Sequence, residues 1–169
     1  LALKNKQYLS DEDMVAYQKR NLIDIKSPNP SVETFLHAFL PFKYVDHTHA
    51  DAVLNVTNRP GGLNFCRKIF GDKTSIVPYV MPGFKLAKKI NEIYKKNPKI
   101  NCLVLMNHGI FTFADDCKEA YDLMIKYVSK AERAVKKLKS KKIKQIKKFS
   151  TKFNPHDIAP IIRGFLSEN

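Results

Sequence analysis

Cysteine is scarce in this chain, and the three present, Cys66, Cys102 and Cys117, are odd in number and lack Cys-x-x-Cys spacing. That excludes a disulfide framework, and the three read as reduced thiols filling small core positions. Long apolar runs are missing too. The run Cys102–Met106 falls far short of the ~20 residues that cross a bilayer, and no signal peptide opens the sequence, so the expectation is a soluble, cytoplasmic protein with no membrane partner. The Gly-x-Gly-x-x-Gly fingerprint is absent, which places dinucleotide chemistry outside these residues. Glycine is absent altogether from residues 1 to 30. Acidic residues are also few: 16 Asp and Glu face 30 Lys and Arg, for a net charge of +14. Residues 130 to 152 hold eleven of those cations against Glu132 alone, or +10, so the remainder carries only +4. The excess is one local stretch, read as a solvated helix end and linker, and it contains no groove-binding motif. The expectation is therefore no nucleic-acid partner.

A chain of 169 residues is one domain's worth and can bury a substantial core. Ser10 and Asp13 start a short capped helix. Leu22, Ile23 and Ile25 predict an extended piece before Ser27-Pro28-Asn29-Pro30. Ser31 opens a further helix that Pro41 closes, which puts Glu33 and His37 one turn apart on one face. Phe42, Tyr44 and Val45 predict a strand, and Ala52, Val53 and Val56 a short helix after it. Gly61-Gly62 lacks the following Lys-Ser or Lys-Thr of a phosphate loop and reads as a turn before a helix from Leu63 to Phe70. Thr74–Val80 is a β-branched strand interrupted by Pro78. Phe84–Tyr94 repeats apolar residues at helical spacing, and Ile100–Met106 is a buried central strand with Ile110–Phe113 as its hairpin or successor. Asp116 and Glu119 open the best helix of the sequence, running from about Tyr121 to Leu138. His156 lies in a turn before Ile158–Leu166.

The chemistry concentrates in residues 31 to 49 and at His108. His47 and His49, two apart near a strand end, point the same way and can reach one point off the sheet. His108 ends another strand. Three imidazoles leave a tetrahedral cation with one open position, the arrangement of a catalytic site, with zinc first and manganese, iron or cobalt as alternatives. Glu33 is the matching carboxylate for moving a proton beside a polarised carbonyl, although a glutamate at a helix start also serves the helix dipole. His37 is a core group, or one that orients Glu33 or a ligand.

These residues resemble the class II (metal-dependent) aldolase and adducin family. The resemblance lies in Pro30-Ser-Val-Glu33-Thr-Phe-Leu-His37, Asp46-His47-Thr-His49-Ala-Asp-Ala, Val77-Pro-Tyr-Val-Met-Pro-Gly-Phe84, Asn107-His108-Gly109-Ile-Phe-Thr-Phe and Glu119-Ala-Tyr121, and it spans roughly residues 28 to 135. It looks strongest toward the aldolase part of bifunctional rhamnulose-1-phosphate aldolase and short-chain lactaldehyde dehydrogenase proteins, whose outgoing segment Ile158–Gly164 also resembles. The resemblance implies an α/β fold, an α/β/α sandwich with a central, mainly antiparallel sheet, in a homo-tetramer with sites between subunits. It implies zinc on His47, His49 and His108, with Glu33 as acid/base in the cleavage of a sugar 1-phosphate, plausibly rhamnulose 1-phosphate, to dihydroxyacetone phosphate, held as a zinc-bound enediolate, and lactaldehyde. The domain is expected over residues 1–150, with its N-terminal part preceding Leu1, and residues 151–169 as an extension or linker toward a further domain such as a dehydrogenase. Phosphate-binding loops of the family lie ahead of the Glu33 helix, where this sequence offers nothing comparable. Sibling activities on the same frame are sugar-phosphate epimerisation and dehydration, and an adducin-like interaction module is the non-catalytic alternative.

Overall fold

The computed structural model describes residue 3, residues 6–138 and residues 154–167. A four-stranded sheet is its frame, in the order β1-β4-β3-β2. The strands are β1 (Tyr44–Thr48), β2 (Thr74–Val77), β3 (Cys102–Leu105) and β4 (Gly109–Ala114). β3 and β4 form an antiparallel hairpin, β1 adds antiparallel to β4, and β2 lies parallel to β3 at the far edge. β2 stops at Val77 because Pro78 has no N–H for the ladder.

Alternation along β3 and β4 builds two cores. Leu103, Leu105, Phe111 and Phe113 face one side, where they meet Met14, Leu36, Phe39, Phe84 and Ile90. These come from helices α1 (Asp11–Arg20), α2 (Thr34–Phe39) and α5 (Phe84–Lys96). Cys102, Val104 and Ile110 face the other side and meet Val53, Val56, Cys66, Phe70, Met124 and Tyr127. These belong to α3 (Asp51–Thr57), α4 (Gly62–Phe70) and α6 (Cys117–Lys137). Each fully buried aliphatic or aromatic side chain contributes about 1.5–3 kcal/mol, so the central hairpin, buried on both faces, is the most strongly held part of the fold. The result is the expected α/β/α sandwich around a mainly antiparallel sheet.

Two polar side chains in these cores find partners. Thr112, fully buried on β4, donates to the Ala120 carbonyl at 2.9 Å, and the Tyr127 hydroxyl donates to Asn101 Oδ1 at 2.8 Å. Asp116 caps α6 by accepting the Glu119 N–H at 2.9 Å, as the capping box predicts. Gly61, at φ 72°, forms the left-handed entry to α4, which gives Gly61-Gly62 a helix-starting role.

Two expectations change in detail. Residues 21–30 form turns and bends, with Ile23 and Ile25 exposed, because neither side chain meets an apolar surface there. α2 begins at Thr34, later than expected: the Ser31 hydroxyl accepts from Glu33 N, and the Ser31 carbonyl accepts from both the backbone and the hydroxyl of Thr34. Glu33 is thus the N-cap residue of α2 and lies just outside its first turn. The chain divides into two compact units, Leu1–Leu138 and Lys139–Asn169. The lysine stretch continues α6 as far as Lys137, and the rest of it, residues 139–152, lies outside the described residues. In the second unit α7 (Pro155–Ser167) carries Pro160 and leaves Ile161, Ile162 and Phe165 exposed. His156 lies in its first turn. No described helix is long and apolar enough to cross a membrane.

Candidate metal centre

Glu33, His47, His49 and His108 come together at one rim of the sheet, with one ligand atom from each lying within 4.8 Å of all the others. Three separate pieces of backbone deliver them. His47 belongs to β1, opposite Phe111 of β4 in the antiparallel register, so its ring stacks on the Phe111 ring at 3.9 Å and 10°. His49 follows β1 directly, before α3. The β3–β4 turn supplies His108, whose N–H donates to the Leu105 carbonyl at 3.2 Å. Asn107 in that turn has φ 59°, a left-handed conformation that asparagine tolerates better than most residues. Sequence reading put His108 at a strand end; the structure puts it in the turn itself, which aims its ring back across β4 toward β1.

The donor geometry is close. His47 Nε2 and His49 Nε2 are 2.9 Å apart. His108 Nε2 lies 2.5 Å from Glu33 Oε1, while Glu33 Oε2 is 3.5 Å from His47 Nε2. His49 Nε2 is 4.0 Å from Glu33 Oε1. His47 Nδ1 lies 2.9 Å from the Ile110 carbonyl, which can only accept, so the proton sits on Nδ1 and the lone pair of Nε2 faces the cluster. Two imidazole nitrogens at 2.9 Å repel unless a proton or a cation lies between them. Three neutral nitrogens and one carboxylate oxygen are the donor set that suits zinc, and equally manganese, iron or cobalt. The residues therefore fit a divalent cation. Burial pushes the His47 pKa down to about 4, helped by His49 and His108 and opposed by the Ile110 hydrogen bond and Glu33, so its ring stays neutral and able to ligate at physiological pH.

Exposure is uneven. The His108 and His47 side chains are 6% and 11% exposed, Glu33 20% and His49 56%, so the cluster is closed toward the sheet and open at His49. His108 Nδ1 is buried without a hydrogen-bond partner. His37 lies outside the ligand group: it is exposed, and its ring meets the Phe111 ring at 5.5 Å, so it braces the aromatic on which His47 rests. Sequence reading gave Ser31 only a helix-opening role and missed two contributors, Gln18 and Gly109. Ser31 and Gln18 hold the turn before Glu33, Gln18 Nε2 donating to the Ser31 carbonyl at 3.3 Å, and Gly109 leaves room beside both β1 histidines. Only Gly109 stood next to a signal, being adjacent to His108.

The chain resembles known proteins over most of its length. The family model described as Class II Aldolase and Adducin N-terminal domain matches residues 4–135. The uncharacterized oxidoreductase YuxG of Bacillus subtilis is 36% identical over 177 residues, covering 98% of this chain and 25% of that protein. The N-terminal class II aldolase domain of a conserved protein from Thermoplasma acidophilum is 46% identical with a TM-score of 0.71, over 79% of this chain and 62% of that one. A sugar-phosphate aldolase from Thermotoga maritima, 21% identical with a TM-score of 0.52 over 65% of this chain and 55% of that one, shares the fold. The chain thus spans a quarter of the Bacillus protein and less than two thirds of the Thermoplasma chain. With the sandwich, the three histidines and the glutamate in place, the chain belongs to the class II aldolase and adducin family.

Proposed function

We propose that this chain is the aldolase part of a longer enzyme, a metal-dependent carbon–carbon lyase that cleaves a ketose 1-phosphate, and specifically rhamnulose 1-phosphate, to dihydroxyacetone phosphate and lactaldehyde. The observation that carries the reading is the convergence of Glu33 with three imidazoles whose lone pairs or protons meet within 4.8 Å at an open rim. Family membership and the aldolase domain of the Thermoplasma relative support the lyase class. The name of the Bacillus relative supports fusion to a dehydrogenase. The partner that closes the open side at His49 is a second copy, in a homo-tetramer.

Cleavage breaks the bond between carbons 3 and 4 of the ketose. The hydroxyl proton of carbon 4 departs as that carbon becomes the aldehyde carbonyl, the electron pair remains with the phosphate-bearing fragment, and a proton is then delivered to carbon 3. A divalent cation held by His47, His49 and His108 would supply Lewis acidity toward the ketose oxygens. Glu33 moves the proton at carbon 3: it is a carboxylate at the mouth of the cluster, oriented by the Ser31 turn that fixes its backbone. His47 and His108 exclude water from the sheet side, where both are buried or nearly so.

Incubation of the zinc-loaded protein with rhamnulose 1-phosphate, followed by chromatography of the products, tests the reading. Two three-carbon fragments are expected. An unbroken carbon chain would replace cleavage with epimerisation or dehydration, and no turnover of any ketose phosphate by the metal-loaded full-length protein would refute the lyase.

A further inference from the structure

We propose that β4 is the template of the metal centre, with Gly109 and Phe111 as positioning residues, the first setting how closely His47 and His49 approach and the second setting the ring plane of His47. This rests on the metal-centre reading above.

The residues of β4 alternate, so Gly109 and Phe111 share the face that looks onto the β1 histidines, while Ile110 packs in the opposite core. A Cβ at position 109 would lie 2.9 Å from His49 Cδ2, 3.1 Å from His47 Cε1 and 2.6 Å from the Thr48 carbonyl oxygen. The contacts at 2.6 and 2.9 Å are too short to keep, the first of them to backbone, so the His49 ring must move, and the His47 ring must give by a few tenths of an ångström. Gly109 is not among the residues with positive φ, so glycine is needed here for space and not for backbone conformation. Its missing side chain is what lets His47 Nε2 and His49 Nε2 close to 2.9 Å. Phe111 then fixes the plane of His47 by stacking at 3.9 Å and 10°, and the carbonyl between them, from Ile110, fixes which nitrogen carries the proton. Three successive residues thus set the spacing of the pair and the plane and tautomer of His47. None of them offers a ligand atom.

Gly62 provides an internal comparison. A Cβ there would lie 2.6 Å from the Thr57 carbonyl oxygen, as severe a backbone clash, but no histidine is among its near neighbours.

The test is a titration of the metal-free protein with Co2+, followed by the visible absorption of the bound ion, with thermal melts of each metal-free variant in parallel. Gly109→Ala is expected to weaken binding by about 10- to 100-fold, the range for changes just outside a ligand set, and to alter the spectrum. Phe111→Leu, which keeps apolar bulk and removes the flat ring, is expected to shift the spectrum with a smaller loss of affinity. Gly62→Ala is expected to lower the melting temperature and leave affinity and spectrum unchanged. Wild-type affinity and spectrum in Gly109→Ala would overturn the proposal, as would equal weakening in Gly62→Ala. Should Gly109→Ala not fold, Phe111→Leu decides by the same readout, and wild-type behaviour there overturns the proposal. Absence of Co2+ binding in the wild-type protein would sink the metal centre as well, which separates the two failures.

Discussion

Replacing Glu33 with glutamine separates a proton carrier from a metal ligand, because the structure assigns very different magnitudes to the two roles. Glutamine keeps the size of the side chain and one carbonyl oxygen facing His108 Nε2, now 2.5 Å from Glu33 Oε1. A hydrogen bond to a charged group is worth about 1.5–3 kcal/mol and a neutral one about 0.5–1.5, so the fold should lose about 1 kcal/mol, a few degrees in Tm. Proton transfer is another matter: an amide cannot carry it, and loss of a positioned acid or base costs about 10²- to 10⁴-fold in rate, or about 2.7–5.4 kcal/mol of activation free energy. The expected result for Glu33→Gln is therefore a folded protein with near-stoichiometric metal by elemental analysis and kcat reduced at least a hundredfold. Turnover within tenfold of wild type, with metal bound, would refute the assignment of the proton to Glu33. Parallel loss of metal would make the carboxylate a ligand instead.

His49→Ala should abolish metal retention while leaving metal-free stability within about 0.5 kcal/mol, since that side chain is 56% exposed; metal analysis and a urea titration check both. Acidification should weaken the metal-free protein in a defined window. The pKa of His47 is about 4 in the fold against an ordinary 6.5, so between these values the unfolded chain takes up a proton that the folded ring refuses. Stability should fall from pH 6.5 toward 4 by at most about 1.4 kcal/mol per pH unit, less where water screens the ring, and urea titrations of His47→Asn should lack this component. Thiol titration at pH 8 should find Cys117 reactive in the native state and Cys66 and Cys102 protected. Burial pushes the latter two up to about 11 and about 12, and neither is open to solvent.

What could be read from the sequence was whatever depends on neighbours in the chain. The apolar run Cys102–Met106 and the Asp116 capping box gave β3 and α6, and the His-x-His pair with the preceding strand residues gave the direction of two imidazoles. The parallel placement of β2 beside β3, the position of Glu33 ahead of α2 and the service of Gly109 all depend on contacts between distant segments. Ser31 shows the limit clearly: its hydroxyl was free, on sequence grounds, to cap a helix, and in the fold it instead bonds Glu33 N within a turn that Gln18 of α1 also holds. Ile23 and Ile25 mark the opposite error, an apolar pattern with no core behind it.

The pairing of His47 with Phe111 across β1 and β4 has one more consequence. Side chains alternate faces along a strand, so a slip of β1 by a single residue would turn the imidazole to the other face of the sheet, away from its aromatic support on β4. A cation captured by the three histidines would then act as a proofreader of strand alignment, since only the correct register could hold it. Refolding with the ion present should favour that register over its misaligned competitors, and the recovered yield should rise with ion concentration.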